Sequence, residues 1–287
     1  VFISCYFEFH NDRLYNPMSY FHNKRVWVTG ASSGIGRDVA IKLSRLGAEL
    51  ILTARSRDKL EEVKKECGNA KTHIFEHDLS NLDTIDDLVS KVANQVGTID
   101  ILFNNAGISA YSSANETNFT VYEQVMKLNF LSVVKLTKCI LPQMISNKRG
   151  QIVTNTSLSG KLGSKKRSVY ASSKHALVGF MDSLRAEVYE HNINVNVVAP
   201  GFVNTEIGMK ALTEDGTPYG NNDRGHESKG MDVDKASNMI IKAIETNKRE
   251  TYILPFMSFT KIALYIARYF PGLASVIARN YNEEDNG

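Results

Sequence analysis

The sequence has few of the residues that cross-link small domains or bind metals. Its 287 residues include only three cysteines, which are odd in number and far apart at Cys5, Cys67 and Cys139. Since no C-x-x-C or H-E-x-x-H occurs, neither a disulfide framework nor a zinc site is predicted. His73 and His77 lie four residues apart but on either side of a predicted strand end, which also argues against a metal site. A chain of this length buries about 75% of its unfolded surface and needs no cross-links.

The chain also lacks a dominant charge and a long uncharged apolar run. Its 34 Lys and Arg and 31 Asp and Glu give a net charge of +3 with both signs interspersed, so no nucleic-acid partner is predicted. The segment Val1–Phe9 is apolar but too short to span a membrane. It is interpreted either as the remnant of a signal or anchor segment or as a tail packed on the domain. Tyr252–Tyr281 is apolar, but three basic residues interrupt it, so it is not predicted to span a membrane either.

Short apolar runs alternate with longer helical patterns along most of the chain. The predicted strands are Arg25–Thr29, Glu49–Thr53, Thr72–Phe75, Ile99–Phe103, Gln151–Asn155, Val195–Ala199 and Thr251–Leu254. Most are near-continuous runs of Val, Ile and Leu, which is typical of a parallel sheet covered on both faces. Right-handed crossovers between such strands favour a doubly wound α/β sheet.

The pattern contains no repeat and no linker, so one domain is predicted for residues 23–255. Residues 1–22 form a tail before it, and residues 256–287 form an apolar helical extension after it. Residues 204–231 are polar and glycine-rich, and loops of this length are usually lids or disordered segments. The extension has three interpretations: it lies on a membrane with its basic side chains reaching the headgroups, it caps a cleft, or it packs against a second subunit.

A glycine-rich loop joins the first predicted strand to the first helix. Glycines permit a tight turn and a close backbone approach, and the helix N-terminus presents free N–H groups to a pyrophosphate. A glycine-rich turn without a ligand is the alternative, but the position after the first strand favours dinucleotide binding. The predicted contacts are Gly30, Ser32, Ser33, Gly34, Ile35 and Gly36.

The second predicted strand ends at Leu52-Thr53-Ala54 and is followed by Arg55. Proteins that bind NAD place an acidic residue here for the ribose 2′-hydroxyl. Arg55 could instead pair with a 2′-phosphate, so NADP(H) is favoured over NAD(H). A solvated surface arginine is the alternative, and Ser33 adds no second basic residue in the loop.

Tyr170 and Lys174 lie four residues apart in a predicted helix, which places them on one face. At ~4 Å and an effective dielectric near 20, the ammonium contributes about 4 kcal/mol, enough to lower a tyrosine pKa of about 10 toward neutrality. Such a phenol exchanges a proton with an alcohol or a carbonyl. The same spacing occurs at Tyr20 and Lys24, where no helix is predicted, so this second pair is interpreted as coincidental.

Three motifs occur in order: Thr29-Gly30-x3-Gly34-x-Gly36, Asn104-Asn105-Ala106-Gly107 and Tyr170-x3-Lys174. Together they resemble the short-chain dehydrogenase/reductase family, over roughly residues 23–254. Trp27–Thr29 and Leu136–Met144 are most similar to the dehydrogenase/reductase member 7 group, near the hydroxysteroid dehydrogenases. The resemblance implies a single Rossmann-type domain with a seven-stranded sheet.

The resemblance implies four catalytic residues: Asn129, Ser157, Tyr170 and Lys174. In this family pattern Tyr170 transfers the proton and Ser157 binds the substrate oxygen. Lys174 lowers the tyrosine pKa and holds the nicotinamide ribose, while Asn129 positions a water. Ser159 competes with Ser157, but its spacing to Tyr170 fits less well. A helix-bending role for Asn129 and a turn role for Ser157 are the alternatives.

Further cofactor contacts are implied by position in the family pattern. Asp78 and Leu79 resemble an adenine-binding pair, although Asp78 is also a candidate helix N-cap. The segment after the fourth strand is expected to shape the adenosine side, and the segment after the sixth strand to lie beside the nicotinamide. After the fourth strand the expected contacts are Asn105, Ala106 and Gly107. After the sixth strand they are Pro200, Gly201, Val203 and Thr205.

The expected function is that of an NADP(H)-dependent oxidoreductase that interconverts a carbonyl and an alcohol on a lipophilic substrate, such as a steroid or retinoid. A non-catalytic dinucleotide-binding scaffold or sensor and a nucleotide-sugar epimerase are the alternatives. A sensor has no need of Tyr170, and an epimerase normally has a longer substrate domain. Family members generally form dimers or tetramers. The expected location is the endoplasmic reticulum or another membrane surface, with the cytoplasm as the alternative, and sequons at Asn115 and Asn118 allow a luminal one.

Overall fold

The computed structural model describes residues 20–220, 230–255 and 259–280. Seven parallel strands form one sheet in the order β3-β2-β1-β4-β5-β6-β7. They are β1 Arg25–Thr29, β2 Glu49–Ala54, β3 Thr72–Glu76, β4 Ile101–Asn104, β5 Gly150–Asn155, β6 Ile193–Pro200 and β7 Glu250–Ile253. The doubly wound, seven-stranded Rossmann-type sheet predicted from the sequence is confirmed. The predicted tail before Tyr20 and residues 221–229 of the predicted lid lie outside the described residues.

Helices connect the strands and continue beyond the last one. Within the described residues they are α1 Gly34–Arg45, α2 Arg57–Glu66, α3 Ile85–Val96, α4 Phe119–Met126, α5 Ser132–Ser146, α6 Ser168–Glu187, α7 Val233–Glu245, α8 Phe259–Tyr269 and α9 Pro271–Asn280. A π-helical turn, Lys127–Leu131, joins α4 and α5 into one continuous helix. One long helix therefore covers residues 119–146, with an irregular turn inside it.

The sheet separates two apolar cores, which explains the continuous apolar strands. Successive residues of β1 point to opposite faces: Val26 and Val28 enter one core, whereas Trp27 enters the other. The first core is covered by α1, α2 and α7, and the second by α3, α5 and α6. Trp27 is fully buried, and its Nε1 donates a hydrogen bond to Thr53 Oγ1 at 2.9 Å.

The strand order determines where a ligand can bind. β1 pairs with β2 on one side and with β4 on the other, so the direction of winding reverses between β1 and β4. In such sheets the crevice for ligands lies outside the carboxyl ends of the strands at this switch point. The glycine loop follows β1 and Asn104–Gly107 follows β4, so the two motifs flank this crevice.

Tyr20 and Phe21 are helical, so the prediction that no helix precedes β1 is wrong. Lys24 Nζ lies 3.1 Å from the centroid of the Tyr20 ring. Tyr20 OH donates a hydrogen bond to Gln151 Oε1 at 2.8 Å, near the start of β5. The second Tyr-x-x-x-Lys pair is thus a real contact, but it lies at the amino ends of the strands, away from the crevice.

Within the described residues, only the continuous helix Phe119–Ser146 is long and apolar enough to cross a membrane. In this structure Val133, Leu136, Ile140 and Met144 pack into the core beneath the sheet. Burial in the core therefore accounts for the apolar composition of this helix.

Candidate active site

The loop between β1 and α1 has the geometry of an anion-binding site. Gly30 and Gly34 adopt φ angles of +63° and +52°, which favour glycine. A Cβ atom on Gly36 would lie 2.3 Å from the Gly30 carbonyl oxygen, so α1 starts tightly against the loop. Among the described residues, no side chain caps the N-terminus of α1, and its first turn holds no acidic residue. Its free N–H groups and helix dipole therefore fit a pyrophosphate.

Asn105 ties this loop to the ends of β4 and β5. Its Nδ2 donates to the carbonyl oxygens of Thr29 at 3.0 Å and Gly30 at 3.3 Å. Its Oδ1 accepts a hydrogen bond from Asn155 Nδ2 at 2.8 Å. The next residue, Ala106, is in such close contact that a Cβ on Gly30 would lie 2.8 Å from its Cα. The side chain of Asn105 therefore holds the glycine loop against the carboxyl ends of β4 and β5.

The segment after β6 reaches the same loop from the other side. A Cβ on Gly34 would lie 3.2 Å from the Thr205 methyl group, so Thr205 stands beside the predicted phosphate site. A Cβ on Gly201 would lie 2.7 Å from Leu254 Cδ2, which explains the glycine after Pro200. The fold therefore brings the Pro200–Thr205 segment and the glycine loop together, although they are far apart in the sequence.

The predicted adenine end contains Arg55, Asp78 and Leu79. Asp78 Oδ1 accepts hydrogen bonds from the backbone N–H and the hydroxyl of Ser80, at 2.9 and 2.7 Å. Asp78 thus closes a turn and caps no helix, so its interpretation as an N-cap is wrong. The Leu79 side chain is buried in the core, which leaves only its backbone for the adenine. Burial opposes ionisation of Asp78, but the Ser80 hydrogen bonds and the charge of Arg55 lower its pKa below the usual value.

Strand β5 and helix α6 bring the predicted catalytic side chains together. Tyr170 lies in the first turn of α6 and Lys174 one turn later, where it is only 4% exposed. Lys174 Nζ is 5.7 Å from the centroid of the Tyr170 ring and donates to the Asn155 carbonyl oxygen at 3.0 Å. Ser157 Oγ accepts a hydrogen bond from the Ser159 backbone N–H at 3.1 Å. Ser157 also interacts with the Tyr170 phenol, so the geometry favours it over Ser159.

Asn129 lies in the π-helical turn and is fully buried. Its Nδ2 donates to the Ile108 carbonyl oxygen at 2.9 Å and to Ser173 Oγ at 3.1 Å, while its Oδ1 accepts from the Ile108 N–H at 2.9 Å. A Cβ on Gly107 would lie 3.1 Å from Asn129 Oδ1 and 3.7 Å from Lys174 Nζ. Gly107, Asn129 and Lys174 therefore lie close together. Both hydrogens of the Asn129 side-chain amide are occupied, so a water held by Asn129 would bind its Oδ1 or its backbone. Single π turns in α-helices are frequent at functional sites.

Comparison with known proteins identifies the family. A family model described as short chain dehydrogenase matches residues 24–216. The chain belongs to this family. Dehydrogenase/reductase SDR family member 7B of Mus musculus is 36% identical over 261 residues, which cover 89% of this chain and 80% of that protein. The predicted resemblance to the member 7 group is confirmed, and the chain is an oxidoreductase of the short-chain dehydrogenase/reductase type.

Solved structures share the fold. A short-chain dehydrogenase/reductase from Burkholderia phymatum in complex with NAD matches with a TM-score of 0.77 and 21% identity, over 88% of this chain and 96% of that one. A short-chain dehydrogenase from Sphingobium yanoikuyae in complex with NADPH matches with a TM-score of 0.72 and 24% identity, over 90% of this chain and 98% of that one. At these identities the likeness shows the fold.

Burial dominates the ionisation of the tyrosine and lysine in this short-chain dehydrogenase. It raises the pKa of Tyr170 above its usual value, against the hydrogen bond from Ser157 and the positive charge of Arg167. It also lowers the pKa of Lys174 to about 8. The expectation that Lys174 brings the pKa of Tyr170 toward neutrality is therefore wrong for this structure, because burial outweighs the effects that lower it. At neutral pH Tyr170 is protonated, which is the form that a general acid needs.

Two residues of the site carry no motif and were missed by sequence reasoning. The carbonyl oxygen of Asn155 accepts a hydrogen bond from Lys174, and its side chain donates one to Asn105, so Asn155 connects the predicted catalytic pair to the glycine loop. Arg167 is a buried arginine just before α6 whose Nη1 donates to Ser109 Oγ at 3.0 Å. For these two residues the sequence offers only their positions as a signal. Asn155 is the last residue of β5, two residues before Ser157, and Arg167 precedes Tyr170 by three residues. Among the described residues, no cluster of three or more His, Cys, Asp or Glu could hold a metal ion.

Proposed function

We propose that this short-chain oxidoreductase uses NADP(H) to interconvert a carbonyl and an alcohol on a lipophilic substrate, with Tyr170 as the general acid and base. The observation that carries the proposal is the meeting of Ser157, Tyr170 and Lys174 beside the glycine loop at the carboxyl edge of the sheet. A scaffold or sensor would need the loop but not these three side chains.

Each residue of the site has a defined task in the reductive direction. When bound, NADPH supplies the hydride that reaches the carbonyl carbon. Tyr170 donates its phenolic proton to the developing alkoxide oxygen, and the Ser157 hydroxyl donates a hydrogen bond to the same oxygen. Lys174 would hold the nicotinamide ribose. Water at Asn129 would return the proton from solvent. In the oxidative direction Tyr170 accepts the alcohol proton instead.

The cofactor would lie along the carboxyl edge of the sheet. The glycine loop and the N-terminus of α1 would bind the pyrophosphate, with Thr205 beside them. Arg55 follows β2 and acts electrostatically on Asp78, so its charge is directed to the adenine end, where a 2′-phosphate would lie. This position supports NADP(H) over NAD(H).

Apolar surface near the site supports a lipophilic substrate. Phe202 and Ile207 lie in the segment after β6, on either side of Thr205 in the sequence, and keep large exposed fractions. Exposed aromatic and aliphatic side chains at a site typically contact apolar ligands. The purified chain should therefore oxidise NADPH with at least one member of a panel of steroids, retinoids, quinones and aldehydes. Cofactor binding without turnover of any member would favour a scaffold, and turnover of nucleotide sugars alone would favour an epimerase.

Replacing Arg55 with alanine should raise the Kd for NADPH about tenfold and leave the Kd for NADH nearly unchanged. The physical reason is the loss of a charge-assisted hydrogen bond to the 2′-phosphate, which NADH does not have. Fluorescence titration of both cofactors measures the effect. Arg57→Ala is the matched control, since Arg57 is a nearby exposed arginine that pairs with Glu61 on α2. An equal loss of affinity for both cofactors would contradict the assignment of Arg55.

We also propose that the chain forms a homodimer or homotetramer through the α4–α5 and α6 helices. Phe119 and Leu131 on the long helix are large apolar side chains that remain exposed in the single chain. Burying them against a second copy would remove apolar surface from water.

A membrane surface, such as that of the endoplasmic reticulum, is the proposed site of action. Helices α8 and α9 and the residue between them, Phe270, expose seven large apolar side chains, with exposed fractions between 41% and 68%. These are Ile262, Tyr265, Tyr269, Phe270, Leu273, Val276 and Ile277. The charged residues of the two helices are Lys261, Arg268 and Arg279, all basic, which suits anionic lipid headgroups. The longer helix extends about 16 Å, too short to span a bilayer core of about 30 Å.

The double variant Tyr265→Ser/Leu273→Ser should lose most of its binding to vesicles that contain phosphatidylserine. Both residues lie on the exposed stripe of α8 and α9, so their loss removes apolar surface without opening a core. Co-sedimentation with phosphatidylserine vesicles and with neutral phosphatidylcholine vesicles measures binding. Tyr189→Ser is the control, because Tyr189 is 81% exposed elsewhere on the molecule. Unchanged vesicle binding, or a change only in oligomeric state, would contradict the membrane proposal.

A further inference from the structure

Arg167 is a buried cation at the start of the catalytic helix. It directly precedes α6, and its carbonyl oxygen accepts a hydrogen bond from the Ala171 N–H at 2.7 Å. The residue is only 8% exposed. Its Nη1 donates to Ser109 Oγ at 3.0 Å, and its Cζ lies 4.9 Å from the centroid of the Tyr111 ring. A guanidinium is costly to bury unless hydrogen bonds and an aromatic face replace its water, and Ser109 and Tyr111 do so here.

The two residues that hold the guanidinium also carry the described part of the lid. Leu212 lies in that part, and its N–H donates to the Ser109 carbonyl oxygen at 2.8 Å. The Tyr111 N–H donates back to the Leu212 carbonyl oxygen at 2.9 Å. The Tyr111 ring meets the Tyr219 ring edge-on, with centroids 6.1 Å apart. Because Ser109 and Tyr111 are two residues apart in extended chain, both side chains face Arg167 while their backbones pair with Leu212.

We propose that Arg167 is a positioning residue that fastens the lid segment around Leu212 and Tyr219 to the first turn of the catalytic helix, through Ser109 and Tyr111. This role rests on the proposed function, because the turn that Arg167 fixes carries Tyr170 three residues later. The lid and the proton donor are then held in one arrangement, which sets the position of a substrate between them. Such fixed geometry is what efficient proton transfer requires.

The same guanidinium sets part of the electrostatic environment of Tyr170. The groups that face the phenol are Ser157 from the loop after β5, and Arg167 and Lys174 from its own segment and helix. Burial raises the pKa of Tyr170, while Ser157 and the charge of Arg167 lower it. Removing the charge of Arg167 therefore moves the pKa of Tyr170 further up. Reduction needs protonated Tyr170, so the part of the alkaline limb that reports Tyr170, which lies above the part expected from Lys174 with its pKa of about 8, should move to higher pH.

The first experiment measures kcat/KM for retinal reduction by NADPH as a function of pH. Arg167→Met should lower kcat/KM at neutral pH about tenfold and move the alkaline limb up by about half a pH unit or more. Arg167→Lys keeps the charge, so its alkaline limb should stay near that of the wild type. A loss of activity in Arg167→Met with no displacement of the limb would reduce Arg167 to a packing residue and overturn the proposal.

The second experiment does not depend on turnover. Tryptic cleavage after Lys210, in the described part of the lid, should become several-fold faster in Arg167→Met and in Tyr111→Leu, as followed by mass spectrometry. Tyr111→Phe retains the ring that faces Arg167 and Tyr219, so it should be cleaved more slowly than Tyr111→Leu. The Kd for NADPH and the melting curve should stay close to wild type, which shows that the domain is folded. Unchanged cleavage in Arg167→Met would overturn the proposal. Faster cleavage in a chain that reduces no carbonyl would instead refute the proposed function and leave the positioning role standing.

Discussion

The Tyr170→Phe variant should lose turnover by a factor of about 10³, while its Kd for NADPH stays within about twofold of wild type. The phenolic hydroxyl is the proton donor in the proposed reaction, and positioned acids of this kind contribute roughly 10² to 10⁴ in rate. The ring itself packs as before in the variant, so the cofactor site beside Lys174 is unaffected. Steady-state kinetics and fluorescence titration of NADPH give the two numbers.

The second Tyr-x-x-x-Lys pair provides the control for this prediction. Tyr20→Phe removes a hydroxyl that donates to Gln151 Oε1 at the amino end of the sheet. It should lower the free energy of unfolding by about 1 kcal/mol and leave kcat unchanged. If Tyr170→Phe kept a tenth or more of wild-type turnover, Tyr170 would not be the proton donor.

Replacing Gly36 with alanine should abolish measurable NADPH binding. The added Cβ would lie 2.3 Å from the Gly30 carbonyl oxygen and 2.4 Å from Asn105 Nδ2, so the loop and the start of α1 must separate. That movement displaces the N–H groups which would bind the pyrophosphate, and overpacking of this kind costs about 1–3 kcal/mol of stability. Fluorescence titration measures the loss of binding, and circular dichroism shows whether the fold persists.

Gly179 offers a matched control for this substitution. It lies inside α6, and an added Cβ there would meet nothing within 4 Å. Gly179→Ala should bind NADPH normally and gain about 0.5–1 kcal/mol of stability, because alanine is the better helix former. A Gly36→Ala variant that binds NADPH as tightly as Gly179→Ala would refute the proposed pyrophosphate site.

The central strands could be predicted from the sequence because both faces of the sheet are buried there, so these strands are apolar almost throughout. The switch point could also be predicted, since the order of the motifs places the glycine loop after β1 and Asn105 after β4. The π-helical turn at Asn129 could not, because no residue pattern in Lys127–Leu131 distinguishes it from an ordinary helical turn. Its position depends on the contact of Asn129 with Ile108, which is set by the tertiary fold.

The two Tyr-x-x-x-Lys pairs show why spacing alone is insufficient. In both, burial raises the pKa of the tyrosine and lowers the pKa of the lysine to about 8. The ionisation of the two pairs is therefore similar, and only their location differs. Tyr170 lies at the carboxyl ends of the strands, beside the glycine loop, whereas Tyr20 lies at the amino ends. Topology, which the motif order reveals, separates the predicted catalytic pair from the pair at the amino ends.

Arg167 could not be found from the sequence because its partners are distant along the chain. Ser109 is 58 residues away, and Tyr111 carries no motif. The link to Leu212 and Tyr219 involves a third segment, again without a recognisable pattern. Only the folded chain shows that the Arg167 guanidinium contacts Ser109 and Tyr111, whose backbones pair with Leu212.

Mass spectrometry of the alcohol formed from a lipophilic aldehyde and NADPH deuterated at both C4 positions tests the central claim most directly. The account predicts that wild-type product gains one deuterium on the former carbonyl carbon, and that Tyr170→Phe forms almost no product in the same time. An alcohol without deuterium would contradict hydride transfer from the cofactor. Deuterated alcohol formed at the wild-type rate by Tyr170→Phe would contradict the role of Tyr170.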